Sequence, residues 1–354
     1  MTGVLVDRAP VAYGRWGIPQ LFEELQRPET SIKNRVLNSL CDLMHDPDRI
    51  YQTVNGGFLG HLTVLLKDED PQVRTKTCEL LSVLSHHNIG RQALVSSSLL
   101  PPLSLLLDDS SSSCRRNVHR VLNNLTLPPA GAEALLFLVP KLMMKLRLEA
   151  EGEEQEEEEE VQVLLLSTLR SCFRLGPLSA LTPDSIPLLR RKLTHQSSNI
   201  RREAAGAMME LSVSQDGAQQ VCEEAVLPVL VELLQDKDME VQGNAAGVIM
   251  YTAVITTGKQ QCVELGVIPI LLDLISKKPD EEEEEEEDEE KRQRRKAVIM
   301  FSLRALTCLA EIPGGRSLLL EHLPLLRERS KDEEEDPVIR QNAQTAISVI
   351  TWTP

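Results

Sequence analysis

A hydrophobic residue followed by Pro, with Leu two residues after the Pro, returns along this chain at a nearly fixed interval. The copies are Ile18-Pro19-Gln20-Leu21, Leu100-Pro101-Pro102-Leu103, Val139-Pro140-Lys141-Leu142 and Ile186-Pro187-Leu188-Leu189. Three more are Leu227-Pro228-Val229-Leu230, Ile268-Pro269-Ile270-Leu271 and Leu323-Pro324-Leu325-Leu326. Leu59-Gly60-His61-Leu62 fills the vacant second place, with Gly for Pro. The starts at 18, 59, 100, 139, 186, 227, 268 and 323 are 41, 41, 39, 47, 41, 41 and 55 residues apart. Self-similarity at a period near 40 predicts a stack of small modules, each leaning on its neighbours, in place of one closed core.

The sixth copy displays the module. Leu227 to Gln235 has apolar residues at helical spacing, with Pro228 in the first turn, where a missing N–H costs nothing. Asp236-Lys237-Asp238 is a polar break. Val241, Ala245, Val248, Ile249 and Thr252 then form one stripe of a second helix. After Gly258, Gln260 to Glu264 reads as a short helix ending at Gly266, a good residue for closing a helix. Counted from that short helix, a unit is a short helix followed by two longer ones.

Asn244-Ala245-Ala246-Gly247 and Glu203-Ala204-Ala205-Gly206 place small side chains where helices must approach closely. With the Ile-Pro entry, these stretches resemble the armadillo family. That resemblance implies an all-α, right-handed, armadillo/HEAT-like superhelical solenoid of about eight repeats. The repeat domain is expected over 14–354, after an N-terminal tail at 1–13. Only ten residues are aromatic, which suits an aliphatic helix stack. No run of about 18 apolar residues is present, so no membrane span is expected; nor does the first segment read as a secretory signal. Seven scattered cysteines without a CxxC pair suggest reduced, packed thiols.

The net charge of −16 is unevenly placed. Residues 149–160 carry nine acids and 280–290 carry eleven, so the remainder is near +4. The repeat register puts both runs between the second and third helices of a unit, on one edge. A solvated, tolerated loop is the preferred reading; an acidic fringe for a basic partner is the sharper one. Lys291-Arg292-Gln293-Arg294-Arg295-Lys296 resembles a nuclear-localisation cluster, but beside eleven acids it reads as self-neutralising. Ser110-Ser111-Ser112-Ser113 reads as a flexible connector, with phosphorylation as the alternative.

No Walker loop, GxGxxG, GxSxG or HExxH is present, and the His residues lack metal-ligand spacing. No catalytic residue, cofactor or metal is therefore expected. His86-His87 suits a helix C-terminus. Lys33, Arg74, Arg115, Arg201 and Arg340 share one register place at the start of the third helix. They are expected to pair with acids such as Asp68, Asp70 and Asp336. A nucleic-acid groove is disfavoured, because no aromatics accompany this ladder. Importin-type armadillo adaptors line the third-helix groove with repeated Asn and, one turn earlier, Trp. Here the Asn place reads Asp42, Val83, Asn124, Ser171, Glu210, Tyr251, Cys308 and Val349. The Trp place reads Asn38, Glu79, Arg120, Ser167, Gly206, Gly247, Arg304 and Thr345. The candidate protein-binding residues on this stripe are Asn38, Asp42, Glu79, Arg120, Asn124, Glu210, Tyr251 and Arg304.

Leu40-Cys41-Asp42-Leu43-Met44-His45-Asp46-Pro47, Leu65-Leu66-Lys67-Asp68-Glu69-Asp70, Thr256-Thr257-Gly258-Lys259 and Val349-Ile350-Thr351-Trp352-Thr353-Pro354 are similar to the armadillo proteins of the radial spoke head of motile cilia. The similarity runs from about Tyr13 to the end; the two Glu runs depart from it. It implies a non-catalytic scaffold in the axoneme and cytoskeleton, binding other spoke proteins and supporting control of dynein. Other proteins are the expected partners, with no nucleic acid, membrane or small-molecule substrate. An armadillo-type peptide adaptor of cytosol or nucleus, or an enzyme regulator, stays open as an alternative. Trp16 and Trp352 are expected to cover the open ends.

Overall fold

The computed structural model describes residues 17–151, 158–176, 182–277, 288–332 and 335–352. All regular elements among them are helices. They form two compact units, Met1–Val139 with Glu160–Leu175, and Pro140–Glu159 with Gly176–Pro354. The tail 1–13, Trp16 and most of both acidic runs lie outside the described residues.

The first unit holds α1 (Gly17–Glu24), α2 (Thr30–Leu43), α3 (Pro47–Asn55), α4 (Leu59–Leu65), α5 (Pro71–Ser85), α6 (Asn88–Ser96), α7 (Leu100–Leu105), α8 (Ser112–Leu125) and α9 (Pro129–Leu135). Of the next two helices, α10 (Val139–Glu151) falls almost wholly in the second unit and α11 (Glu159–Leu175) in the first. The second unit continues with α12 (Ser185–Leu193), α13 (Ser198–Ser212), α14 (Gln215–Glu223), α15 (Leu227–Leu233), α16 (Met239–Thr252), α17 (Thr256–Glu264) and α18 (Val267–Ser276). It ends with α19 (Glu289–Leu309), α20 (Pro313–Glu321), α21 (Leu323–Lys331) and α22 (Pro337–Ile350).

Each unit is a solenoid of stacked helical repeats. Long helices pack on long helices, α2 on α5 on α8 in the first unit and α13 on α16 on α19 on α22 in the second. Nine-residue helices form a parallel row, α3 with α6 and α14 with α17. The helix that opens on the X-Pro pair varies in length, from six residues in α7 and seven in α15 to nine in α12 and ten in α18. Behind several of these helices, before the next long helix, sits an N-cap. Asp70, Ser111, Ser197, Asp238 and Asp336 each accept from a backbone N–H of the following long helix. Such a cap is worth about 1 kcal/mol and sets where the long helix starts. The break at Asp236-Lys237-Asp238 is therefore a structured cap, and so is the serine run. Ser111 accepts from the Cys114 N–H at 3.3 Å, and Ser112 and Ser113 already belong to α8.

The core is one aliphatic place repeated. In the first unit Leu40, Leu81, Leu122 and Leu169 are fully buried, each two residues before the candidate stripe. Met208, Ile249 and Leu306 take that place in the second. Ala204, Ala205, Ala245 and Ala246 are also fully buried. Their small side chains let α13 and α16 come together as the sequence implies. Gly266, just past α17, has φ +67°, a left-handed conformation that glycine adopts without a Cβ penalty.

Of a different glycine series the sequence reading took only Gly258, as a break. Gly90, Gly131, Gly217, Gly258 and Gly315 sit in the first turn of short helices of seven to nine residues, each following a long helix. A Cβ at each would lie 1.8–2.1 Å from a main-chain oxygen near the C-terminus of the preceding long helix. Backbone touches backbone at these corners, which sharpens the turn between long and short helix.

Trp352 does not cover the last helix: it is 59% exposed. The solvent side of α22 instead carries Gln341, Gln344, Thr345 and Ser348, all exposed.

Candidate protein-binding surface

The proposed contact residues all lie on long helices and face away from the aliphatic core. In the first unit Asn38 and Asp42 are exposed on α2, Glu79 is half-buried on α5, and Arg120 and Asn124 are half-buried on α8. Several are already engaged. Glu79 takes Lys76 at 2.8 Å, Arg120 takes Glu160 at 2.7 Å, and the Asn124 amide donates to the Ser85 hydroxyl at 2.9 Å. In the second unit Glu210 on α13 and Tyr251 on α16 are half-buried, and Arg304 on α19 is exposed. Arg304 donates to the Asn342 side chain of α22 at 3.0 Å.

One groove gathers a set that the sequence reading missed. Asn34 and Asn38 of α2, Gln72, Thr75 and Lys76 of α5, and Ser110, Ser111 and Ser113 around the start of α8 line a space of about 530 Å³. Of the eight proposed contact residues, only Asn38 lines it. The rest of the lining lies three to ten residues earlier in the register, nearer the helix N-termini. The amide and hydroxyl composition at those places was the available signal.

Three members of the basic ladder, Lys33, Arg74 and Arg201, are staples between repeats within their own units. Lys33 reaches Asp68 at 2.7 Å, Arg74 reaches Asp109 at 2.6 Å, and Arg201 reaches Asp236 at 2.7 Å. Each partner lies 35 residues ahead, in the turn before the next long helix. The arginines also serve their own turn. Arg74 donates to the carbonyls of Asp68 and Glu69, and Arg201 to those of His195 and Gln196. Asp70 and Asp336 act otherwise: Asp70 caps α5, and Asp336 caps α22 and pairs with Lys296 at 2.7 Å.

Asp109 is the most enclosed of these acids, with its side chain 2% exposed. Burial pushes its carboxyl up. The Arg74 hydrogen bond, the Ser111 N–H and the charges of Arg74 and Arg115 outweigh burial and hold it below the ordinary carboxylate range. A carboxylate depressed on folding contributes stability that is present above its unfolded pKa, about 3.9, and is lost as pH falls through the folded value. Asp109→Asn should therefore cost about 2 kcal/mol at neutral pH. The gap to wild type should close as pH drops below about 4. Urea denaturation across that range checks both statements; a gap independent of pH would contradict the assignment.

The basic segment at the head of α19 is tied into the fold. Arg292 pairs with Glu289 at 3.1 Å, Arg294 with Glu290 in the same helix, and Arg294 with Glu240 of α16 at 3.4 Å. His86 ends α5 as expected, with its Nδ1 2.7 Å from the Ser82 carbonyl. Burial pushes the thiols of Cys41, Cys172 and Cys262 up to about 12, so they stay protonated and serve packing. Among the described residues no three His, Cys, Asp or Glu side chains gather where they could hold a metal ion, and no helix is long and apolar enough to cross a membrane.

A family model described as dynein axonemal assembly factor 5-like, TPR repeats, matches residues 65–280, more than half of the chain. The chain belongs to that family. A member of this dynein axonemal assembly factor 5-like family is an all-α, non-catalytic repeat scaffold that binds proteins. Among solved structures, the crystal structure of an engineered protein, a structural genomics target, is similar over 96% of this chain and 89% of its own length. Its TM-score is 0.74 at 18% identity, a likeness of fold.

Proposed function

We propose that this chain is a structural scaffold of the ciliary axoneme, holding other axonemal proteins along its long-helix surface. The observation that carries the reading is the match of residues 65–280 to a family named for axonemal dynein assembly. The finer reading is the radial spoke, with the chain as a radial spoke head 14 homologue; the near-full-length sequence similarity described above supports it. We also read the units as armadillo-like, eight in number from the starts given, within one domain at 14–354. Three helices per 41-residue period support this over a 34-residue helix–turn–helix unit.

The family name favours a second reading, a scaffold used while dynein is assembled. Proximity labelling from the tagged chain in multiciliated cells separates the two. Labelled spoke proteins within the axoneme support the spoke. Labelled dynein subunits in the cell body support the assembly role. A chain that labels neither set, and never reaches cilia, would sink both.

A further inference from the structure

Two cysteines of successive repeats face each other inside the first unit. Cys78 of α5 and Cys114 of α8 are both fully buried, and the Cys114 thiol donates to the Cys78 sulfur at 3.8 Å. Polar contacts fix the seam around them. Arg74, one turn before Cys78 on the same face of α5, reaches Asp109 at 2.6 Å. The Thr75 hydroxyl lies 3.2 Å from that of Ser111, and the Asn117 amide donates to the Thr75 carbonyl at 3.4 Å. Packing alone does not call for sulfur here. The equivalent places hold Leu37 and Val73 one repeat earlier, and Ala205 and Val241 in the second unit, all fully buried.

From this geometry we infer that Cys78 and Cys114 are a thiol–disulfide site, at which hydrogen peroxide ties two successive repeats together covalently. In the first step one thiolate attacks an oxygen of the peroxide and the O–O bond breaks. A sulfenic acid forms, and the departing hydroxide takes the thiol's proton as water. In the second step the neighbouring thiol attacks the sulfenic sulfur. The S–S bond forms, the S–O bond breaks, and the hydroxyl leaves with the attacking thiol's proton as a second water. Two electrons pass from the sulfur pair to the peroxide. Closed packing guards the site, since neither side chain meets solvent. The hydrogen bond from Cys114 and burial also push the Cys78 thiol well above its ordinary value, so reactive thiolate is scarce there. Oxidation therefore proceeds when the seam between α5 and α8 opens locally. Reclosing returns the sulfenic sulfur to its neighbour, which traps it before it is oxidised further. The bond then holds shut a seam that has opened.

The test uses the full chain, reduced and then freed of reductant, and treated with hydrogen peroxide with and without urea below the unfolding transition. Remaining thiols are alkylated, and the unreduced protein is cut with trypsin. Cleavage after Lys76, Arg91 and Arg115 leaves Cys78 in peptide 77–91 and Cys114 in peptide 92–115. The expected main cysteine product is these two peptides joined, lighter than their sum by two hydrogens and separated by dithiothreitol. Urea should speed its formation about tenfold or more by opening the seam. The linked chain should melt about 5 °C or more above the reduced one, because a cross-link narrows the unfolded ensemble. Peroxide should leave the melting temperature of Cys78→Ala/Cys114→Val unchanged; that variant copies Ala205 and Val241 of the second unit. Two separate, alkylated peptides after peroxide, or links to the other five cysteines in equal yield, overturn the inference. Wild type alone decides that point, whether or not the variant folds. A rate indifferent to urea overturns the guarding by closed packing, and equal melting of linked and reduced chains overturns the covalent tie.

Discussion

Gly217→Ala is expected to destabilise the second unit by about 3 kcal/mol, the upper part of the range for overpacked cores. The usual sign is the opposite. Alanine in place of glycine within a helix normally stabilises by about 1 kcal/mol. Here the added Cβ would sit 2.0 Å from the Leu211 carbonyl oxygen, with the Ser214 hydroxyl next at 3.0 Å. Main chain cannot swing aside as a flexible side chain does, so α14 must lift away from the end of α13. That movement disturbs Ala218 and Val221, which are almost wholly buried. Gly60→Ala is the matched control. Gly60 lies in α4 with nothing within 4 Å of the added carbon, and the change should stabilise by about 0.5–1 kcal/mol. Urea midpoints of the two variants should move in opposite directions. Two shifts of the same sign would refute the close-approach account.

Arg329→Ala should cost about 3–5 kcal/mol, the scale for breaking a buried charge pair from one side. Arg329 stands on α21 and is only 5% exposed. Its Nε donates to the Ile275 carbonyl and its Nη2 to the Lys277 carbonyl, both at 2.9 Å. Its Nη1 pairs with Glu335. The guanidinium thus satisfies two carbonyls at the end of α18, which a helix terminus leaves without partners of its own. Removing it strands two acceptors and a carboxylate that is 13% exposed. Arg329→Lys should recover little, since an ammonium lacks the planar fork that reaches three acceptors at once. Thermal denaturation of the two variants decides the matter. Near-wild-type behaviour of the lysine form would show that charge alone suffices.

Much of the architecture was legible in the residues. Leu227-Pro228 opens α15, and the buried pair Ala245-Ala246 marks the seam of α16 with its neighbours. These are local facts: proline fixes its own φ, and an apolar stripe is visible at helical spacing. The candidate groove was legible only in outline. Its long-helix stripe was placed from the repeat register, but Gln72, Thr75 and Ser113 of the groove lining were not picked out. Their importance depends on three helices lying side by side, which no single window of sequence contains.

The ladder divides in the same way. Arg74 and its kin announced themselves as a register of cations, and acids stood close by in the chain. The carboxylate that Arg74 takes is Asp109, one repeat onward, while the nearer Asp68 offers its carbonyl to Arg74 and its carboxylate to Lys33. Period, helix type and the small-residue seams follow from the chain alone, because each arises from a residue's own backbone limits and its neighbours within a turn or two. Which carboxylate meets which guanidinium, which glycine must stay bare, and which amides face one another are decided only when repeats stack. Stacking brings groups some forty positions apart within bonding distance.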